Sequence, residues 1–106
     1  MLTIQNTFTS ASTGKNTLDG GAAKNNFWTH AATVTGTGAV SATVLIEGSS
    51  SLTGAGGWYT LATLSPSGTT EASDAISGCA LPAFMRARCT AISGTSASVV
   101  VTSIGG

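Results

Sequence analysis

The feature that most constrains the fold is a pair of strand-like runs joined by a loop without charge. The runs VSATVLIEG, from Val40, and WYTLATL, up to Leu64, flank the segment SSSLTGAGG. Both runs contain the β-branched and aromatic residues that favour strands, whereas Ser and Gly favour turns. The stretch Val40–Leu64 therefore predicts a long β-hairpin at the centre of a β-sandwich.

Similar short runs recur along the chain, with turn signals about every ten residues, as in sandwiches and barrels. No apolar repeat of helical period occurs, and Gly, Ser and Thr form helices poorly. We predict an all-β fold: an antiparallel β-sandwich, jelly-roll-like or immunoglobulin-like, in a single domain spanning residues 1–106. The predicted strands are 2–10, 27–34, 40–48, 58–64, 83–92 and 97–104, with 69–77 as a strand or a loop, and turns at 36–38, 65–68 and 93–95.

Alternation within these strands predicts the inward side chains. Since Arg is seldom fully buried, Arg86 and Arg88 should face outward and their neighbours inward. The 83–92 and 97–104 strands are the predicted neighbours of the central hairpin. The spacing of Leu61 and Leu64 indicates a bulge or register change in the return strand. The predicted inward residues of the two strongest strands are Val40, Ala42, Val44 and Ile46, and Met85, Ala87, Cys89 and Ala91.

The first 26 residues differ in character from the rest. Residues 2–10 alternate apolar and polar side chains, but few are strongly apolar, which favours an edge strand or an arm laid on a neighbouring subunit. Residues 11–26 form a polar connection with a turn signal at Asp19-Gly20-Gly21. Such long connections are usually functional or mobile. We therefore predict an extended arm plus a long loop over residues 1–26.

Charge is scarce, because Asp, Glu, Lys and Arg make up 8% of the chain, against about 25% in typical soluble domains. A surface of hydroxyls and small apolar groups suits a protein covered by copies of itself or by a partner. Four basic residues and zero net charge argue against nucleic acid as a partner. No apolar segment has the length of a membrane span or a signal peptide, so we expect synthesis in a cytoplasm.

The sequence contains no recognisable catalytic set. His30 is the sole histidine, and no catalytic-triad motif can be assigned to it from the sequence. We therefore expect no catalytic residues, no cofactor and no metal. Glu71 and Asp74 could ligate calcium, but a Ca²⁺ site needs six to eight oxygens, which favours solvated loop charges. Cys79 and Cys89 are expected as free, buried thiols, with a bridge between them left open by geometry.

Two groups of large side chains allow more than one interpretation. Trp28, Trp58 and Tyr59 could form an aromatic platform for sugars, although core or interface anchors are the commoner role of such residues. Arg86 and Arg88 lie two positions apart on one strand face. They could pair with Glu47 on an adjacent strand or reach a partner subunit.

The tip of the hairpin, Ser49–Gly57, has no charge, although a loop in water gains solubility from charge. We therefore predict that the tip and the N-terminal segment meet a neighbouring subunit. A variant carrying Ser50→Lys and Ala55→Glu that still folds and assembles would contradict this. The interface candidates are Ser50, Leu52, Ala55, Trp58, Arg86 and Arg88.

Four strand motifs between Val40 and Thr102 carry a family resemblance: IEGS at a strand end, GW followed by LAT, RAR followed by TAISG, and ASVVVT. This portion resembles the β-sandwich decoration proteins of tailed phages, also called cement or head-stabilising proteins. The first 39 residues carry no such resemblance. The motifs are sheet-forming patterns and not catalytic signatures.

The resemblance implies a non-enzymatic structural protein on the capsid surface of the virion, made in the host cytoplasm. Its implied partners are the major capsid protein and copies of itself, as a dimer or trimer that bridges capsomers, with no membrane or nucleic-acid partner. Two alternatives remain. One is another virion component, such as a tail, fibre or head–tail connector protein, and the other is a carbohydrate-binding β-sandwich module.

Overall fold

The fold is all-β and antiparallel, as the sequence predicts. The computed structural model describes residues 2–15, 17–18, 27–51, 56–79 and 84–105, and in these ranges it contains strands but no helix, so no helix there could span a membrane. The strands are β1 (Leu2–Phe8), β2 (Ser12–Thr13), β3 (Thr17–Leu18), β4 (Phe27–Ser49), β5 (Trp58–Leu64), β6 (Ser67–Cys79) and β7 (Phe84–Gly105).

All seven strands belong to one sheet with two long central strands. β4 and β7 pair along nearly their whole length, from Trp28 opposite Gly105 to Ser49 opposite Phe84. β1, β2 and β3 follow one another along the other side of β7. β5 and β6 do the same along the other side of β4. The sheet is therefore four strands wide, and we call each of these four rows of strand a course. β1, β2 and β3 together form the N-terminal course at one edge, and β5 and β6 together form the course at the other edge.

The predicted central hairpin is confirmed. β4 pairs with β5 from Val44 opposite Leu64 to Ser49 opposite Trp58. The register shifts between Ile46 and Glu47, which matches the irregularity predicted for the return strand. The 83–92 strand lies beside the hairpin as predicted, whereas residues 97–104 lie beside the first half of β4.

The long strands bend sharply at their middles. β4 has 23 residues, and at about 3.3 Å per residue a straight strand would measure about 76 Å, yet the longest dimension of the molecule is 42 Å. The backbone N–H of Ser65 donates to the Asp74 carboxylate at 2.9 Å, which brings positions nine apart together. The sheet is therefore folded over on itself, with one half made by the chain before the bend of β4 and one by the chain after it.

The turn signals in the sequence mark these bends. Gly38 has φ of 74° and Gly94 has φ of 130°, conformations that glycine adopts without a steric penalty. The registers of β4 shift between Thr35 and Ser41. The predicted turns at 36–38 and 93–95 are thus bends inside continuous strands, and the prediction that strands end there is wrong. Residues 65–66 likewise separate β5 from β6, but the chain does not reverse there, because both strands run antiparallel to β4.

One face of the folded sheet supplies the core in both halves. Buried side chains from both halves belong to a single cluster on this face. The inward prediction is confirmed for Val40, Ala42, Val44 and Ile46 and for Met85, Ala87 and Cys89. Ala91 is exposed instead, because the register of β4 and β7 shifts between Thr43 and Val44 and places Ala91 opposite the outward Thr43. The predicted β-sandwich, jelly-roll-like or immunoglobulin-like, stays a prediction.

Three further expectations meet the structure here. Residues 69–77 are strand, within β6. The polar connection predicted for 11–26 contains β2 and β3, which continue the edge course begun by β1. Residues 16 and 19–26 of this connection lie outside the described residues. Cys89 is a free, buried thiol, and burial raises its pKa, which disfavours the reactive thiolate at neutral pH. The side chain of Cys79 lies outside the described residues.

Candidate functional site

The outer face of one half of the sheet carries almost no charge. In β4 the inward side chains Trp28, His30, Ala32 and Val34 alternate with outward ones, and strand pairing extends this outward set across four strands. We call it the hydroxyl face. It consists of Thr3, Gln5, Thr7, Thr29, Ala31, Thr33, Thr35, Glu71, Ser73, Ala75, Ser77, Ser98, Val100, Thr102 and Ile104.

Hydrogen bonds fix part of this face. The Thr29 and Ser77 hydroxyls lie 2.9 Å apart, and the Thr33 and Ser73 hydroxyls lie 2.8 Å apart. Both pairs join β4 to β6 directly across the strands. Every member of the face is exposed or half-buried, and Glu71 is the sole charged one. The face therefore offers methyl and hydroxyl groups in a regular array, which costs little charge desolvation on docking.

The size of the hydroxyl face limits what it can bind alone. Four strands about 4.8 Å apart and about eight residues long at about 3.3 Å each cover roughly 500 Å². A stable protein–protein interface buries about 800 Å² per partner. One face would therefore hold a partner weakly, and firm attachment requires several copies or a second contact.

A second candidate site lies on the outer face of the other half, where four side chains form what we call the arginine cluster. Glu47, on β4, is 5% exposed. Its Oε1 accepts from Arg86 Nε at 2.9 Å, and its Oε2 lies 3.3 Å from Arg88 Nη2. The Arg86 guanidinium lies 3.9 Å from the centroid of the Trp58 ring. The cross-strand pairing that the sequence allowed is therefore confirmed for both arginines.

The arginine cluster and the core leave no shared aromatic platform. Trp28 is fully buried, and the alternative in which it contacts sugar is wrong because its indole lies inside the core. Trp58 has one ring face covered by Arg86. Tyr59 is exposed, and its hydroxyl lies 3.2 Å from that of Ser50. The three aromatics are thus distributed between the core, the arginine cluster and the hairpin tip.

The predicted interface residues occupy different places. Arg86, Arg88 and Trp58 belong to the arginine cluster, and Ser50 is exposed beside it. Leu52 and Ala55 lie outside the described residues. At the base of the tip the fully buried Ser49 donates its hydroxyl hydrogen to the Gly56 carbonyl at 2.5 Å. The contact of this tip with a neighbouring subunit stays a prediction.

Buried polar side chains occupy the core of the first half. His30 Nδ1 and the Ser103 hydroxyl lie 2.8 Å apart, on paired positions of β4 and β7. The imidazole stacks on the Trp28 ring, with centroids 6.2 Å apart. Burial lowers the pKa of His30 below its ordinary value. The arrangement positions a neutral imidazole inside the core.

Acidification should therefore destabilise the protein. A histidine whose pKa is lowered by folding binds its proton more readily in the unfolded chain. Its contribution to the free energy of unfolding is complete above pH 6.5 and is lost as the pH falls through the folded-state pKa. Urea unfolding at pH 7.5 and 5.5 should show this loss, and His30→Asn should reduce the difference. Equal pH dependence in both proteins would contradict the role of His30.

The acidic pair considered for calcium does not form a cluster with other ligands. Asp74 accepts backbone N–H groups from Ser65 and Ala75, which fixes its carboxylate at the bend of the edge course. Within the described residues no three His, Cys, Asp or Glu side chains come together as a metal site. In the described part of the chain, the Asp74 carboxylate thus accepts hydrogen bonds from the backbone and is not part of a metal site.

Comparison with known proteins gives a likeness of fold. No protein-family profile and no curated protein matches the sequence. The chain is similar in structure to the SPBc2 prophage-derived protein YomS, with a TM-score of 0.50 and 12% identity, over 100% of this chain and 96% of that one. At this identity the likeness concerns the fold alone.

The hydroxyl face is the feature that sequence reasoning missed. Its signal is the alternation of Thr on the outward positions of β1 and β4, such as Thr3 with Thr7 and Thr29 with Thr33. The alternation is visible in the sequence, but the register that aligns the four strands is not.

Proposed function

We propose that this chain is a non-enzymatic structural protein of a tailed-phage virion, which decorates the assembled capsid and stabilises it by bridging capsid subunits. The observation that carries the proposal is the hydroxyl face, a nearly uncharged four-stranded surface suited to docking on another protein. The prophage origin of the structural neighbour YomS and the resemblance of the strand motifs to decoration proteins support it.

The size of the face fits attachment in many copies. A protein that binds the assembled shell and not its free subunits stabilises the shell by mass action. Each contact of roughly 500 Å² is weak by interface standards, but linked copies gain avidity when they bind together. In this proposal the partners are the major capsid protein and further copies of the chain, on the capsid surface.

Binding to expanded capsids tests the proposal. Purified protein should co-sediment with expanded shells of the phage that encodes it and raise their melting temperature. Ala31→Glu places a charge in the middle of the hydroxyl face and should weaken binding by about 2–5 kcal/mol, the cost of a charge left unpaired in an interface. The matched control is Ala91→Glu, which adds the same charge at an exposed position outside the face.

The outcomes separate the candidate locations. Unchanged binding by Ala31→Glu would show that another surface docks, and no binding by the wild-type protein would contradict decoration. Gold-labelled protein in intact virions distinguishes a lattice over the shell from a label at the tail or at a single vertex. A tail or vertex position would support the alternative of another virion component.

A further inference from the structure

Arg88 retains hydrogen-bonding capacity that the chain itself does not use. One of its terminal nitrogens contacts Glu47. Its Nε is buried and makes no hydrogen bond to any described residue, so a further partner has to be bound by the terminal nitrogens. The side chain is 41% exposed. A guanidinium has five N–H donors, so Arg88 can bind a second carboxylate while it holds Glu47.

A groove lies next to this guanidinium. Its volume is about 240 Å³. Ser12 and Thr13 line it, and Thr13 is the residue paired with Arg88 across the strands. Lys15, two positions further along the edge course, is exposed. An acidic side chain that enters this groove therefore meets the Arg88 side chain in its lining. The groove is lined by Ala11, Ser12, Thr13, Arg88 and Cys89.

Acidic side chains lie on the opposite edge of the same molecule. Among the described residues, Lys15, Arg86, Arg88 and Glu47 belong to the half after the bend, with a net charge of +2, and Glu71 and Asp74 to β6, with −2. β6 pairs with β4 on one side, and no described strand pairs with its other side. Glu71 is exposed on this edge strand. The described basic residues thus lie on or next to the N-terminal edge of the sheet, and the described acidic residues other than Glu47 lie on β6, at the other edge.

We propose that the Arg88 groove is a carboxylate-binding site whose occupant is Glu71 of a second copy of this chain. The contact joins two different surfaces, so it is head-to-tail, and repetition produces a ring if the rotation closes and an open chain if it does not. The inference deepens the proposed function by naming the contact between copies. Its experiment uses purified protein without capsids, so that each proposal can fail alone.

Sedimentation-velocity measurements on two variants test the contact. Glu71→Arg removes the occupant, and Arg88→Gln removes the guanidinium that binds it. Each variant alone should be monomeric at protein concentrations where the wild type associates, with an association constant reduced at least about tenfold. Wild-type association should weaken between 50 and 500 mM NaCl, concentrations chosen because salt screens exposed charges. Thr95→Arg adds the charge at an exposed position away from both edges and should associate like wild type.

Mixing the two variants provides the decisive measurement. Glu71→Arg retains an intact groove and Arg88→Gln retains an intact Glu71, so the mixture should form a one-to-one dimer that cannot grow. Circular dichroism of each variant confirms its fold. A mixture that stays monomeric, a wild type that is monomeric at 50 mM NaCl, or variants that associate like wild type would each overturn the proposal.

Discussion

Trp28→Ala should unfold at a far lower urea concentration than the wild type. The indole is fully buried and is the largest such side chain among the described residues. An added Cβ at Gly105, the residue paired with Trp28, would lie 2.9 Å from the indole ring, so the two strands are packed closely at this point. Truncating a buried Trp to Ala costs about 3–5 kcal/mol, against a total stability of about 5–15 kcal/mol for a typical domain.

The neighbouring residue provides the matched control. Phe27 is on the same strand and is 50% exposed, so Phe27→Ala should change the free energy of unfolding by less than about 1 kcal/mol. Urea unfolding followed by far-ultraviolet circular dichroism measures both variants. Equal losses in the two variants would contradict the position of Trp28 as the anchor of the core.

Glu47→Ala should cost about 2 kcal/mol of stability, because it leaves two guanidinium groups side by side without their carboxylate. Breaking a buried ion pair by removing one partner costs about 3–5 kcal/mol. We expect a loss of about 2 kcal/mol, below this range, because the Arg88 side chain is 41% exposed and water screens its charge. Trp58 fluorescence should also change, since the guanidinium held over its ring by Glu47 is released.

Glu71→Ala is the control for removal of a carboxylate from an exposed position on an edge strand. At protein concentrations at which the wild type is monomeric, it should change stability by less than about 0.5 kcal/mol. Glu47→Gln should fall between the two, because the amide oxygen can still accept from Arg86 but carries no charge. A loss for Glu47→Ala no greater than that for Glu71→Ala would indicate that the arginine cluster contributes nothing to the fold.

The local sequence predicted the strands better than their ends. Alternation correctly identified the inward residues of β4 from Val40 to Ile46, because the period of two in a strand is a local property. Gly36-Thr37-Gly38 correctly marked a change of direction. Whether a glycine-rich segment ends a strand or bends it depends on whether the neighbouring strand continues past it, and that neighbour lies about 50–70 residues away.

The candidate sites divide in the same way. The pairing of Glu47 with Arg86 and Arg88 was accessible from the sequence, since opposite charges on two strong strands are natural cross-strand partners. The exposure of Ala91 was not accessible from the sequence, because it depends on the register shift between β4 and β7 next to it. The fully buried position of Trp28 was not accessible from the sequence either. A large aromatic residue at the start of a strand is equally compatible with a core, interface or ligand contact.

By itself, the sequence determined that this chain folds into antiparallel strands with a nearly uncharged surface, because β-propensity, alternation and composition are carried by each residue and its close neighbours. The tertiary structure alone decided that four long courses bend together and that their outward Thr and Ser residues form one face. Register and bending are set by pairing between distant segments, so no short stretch of sequence contains them.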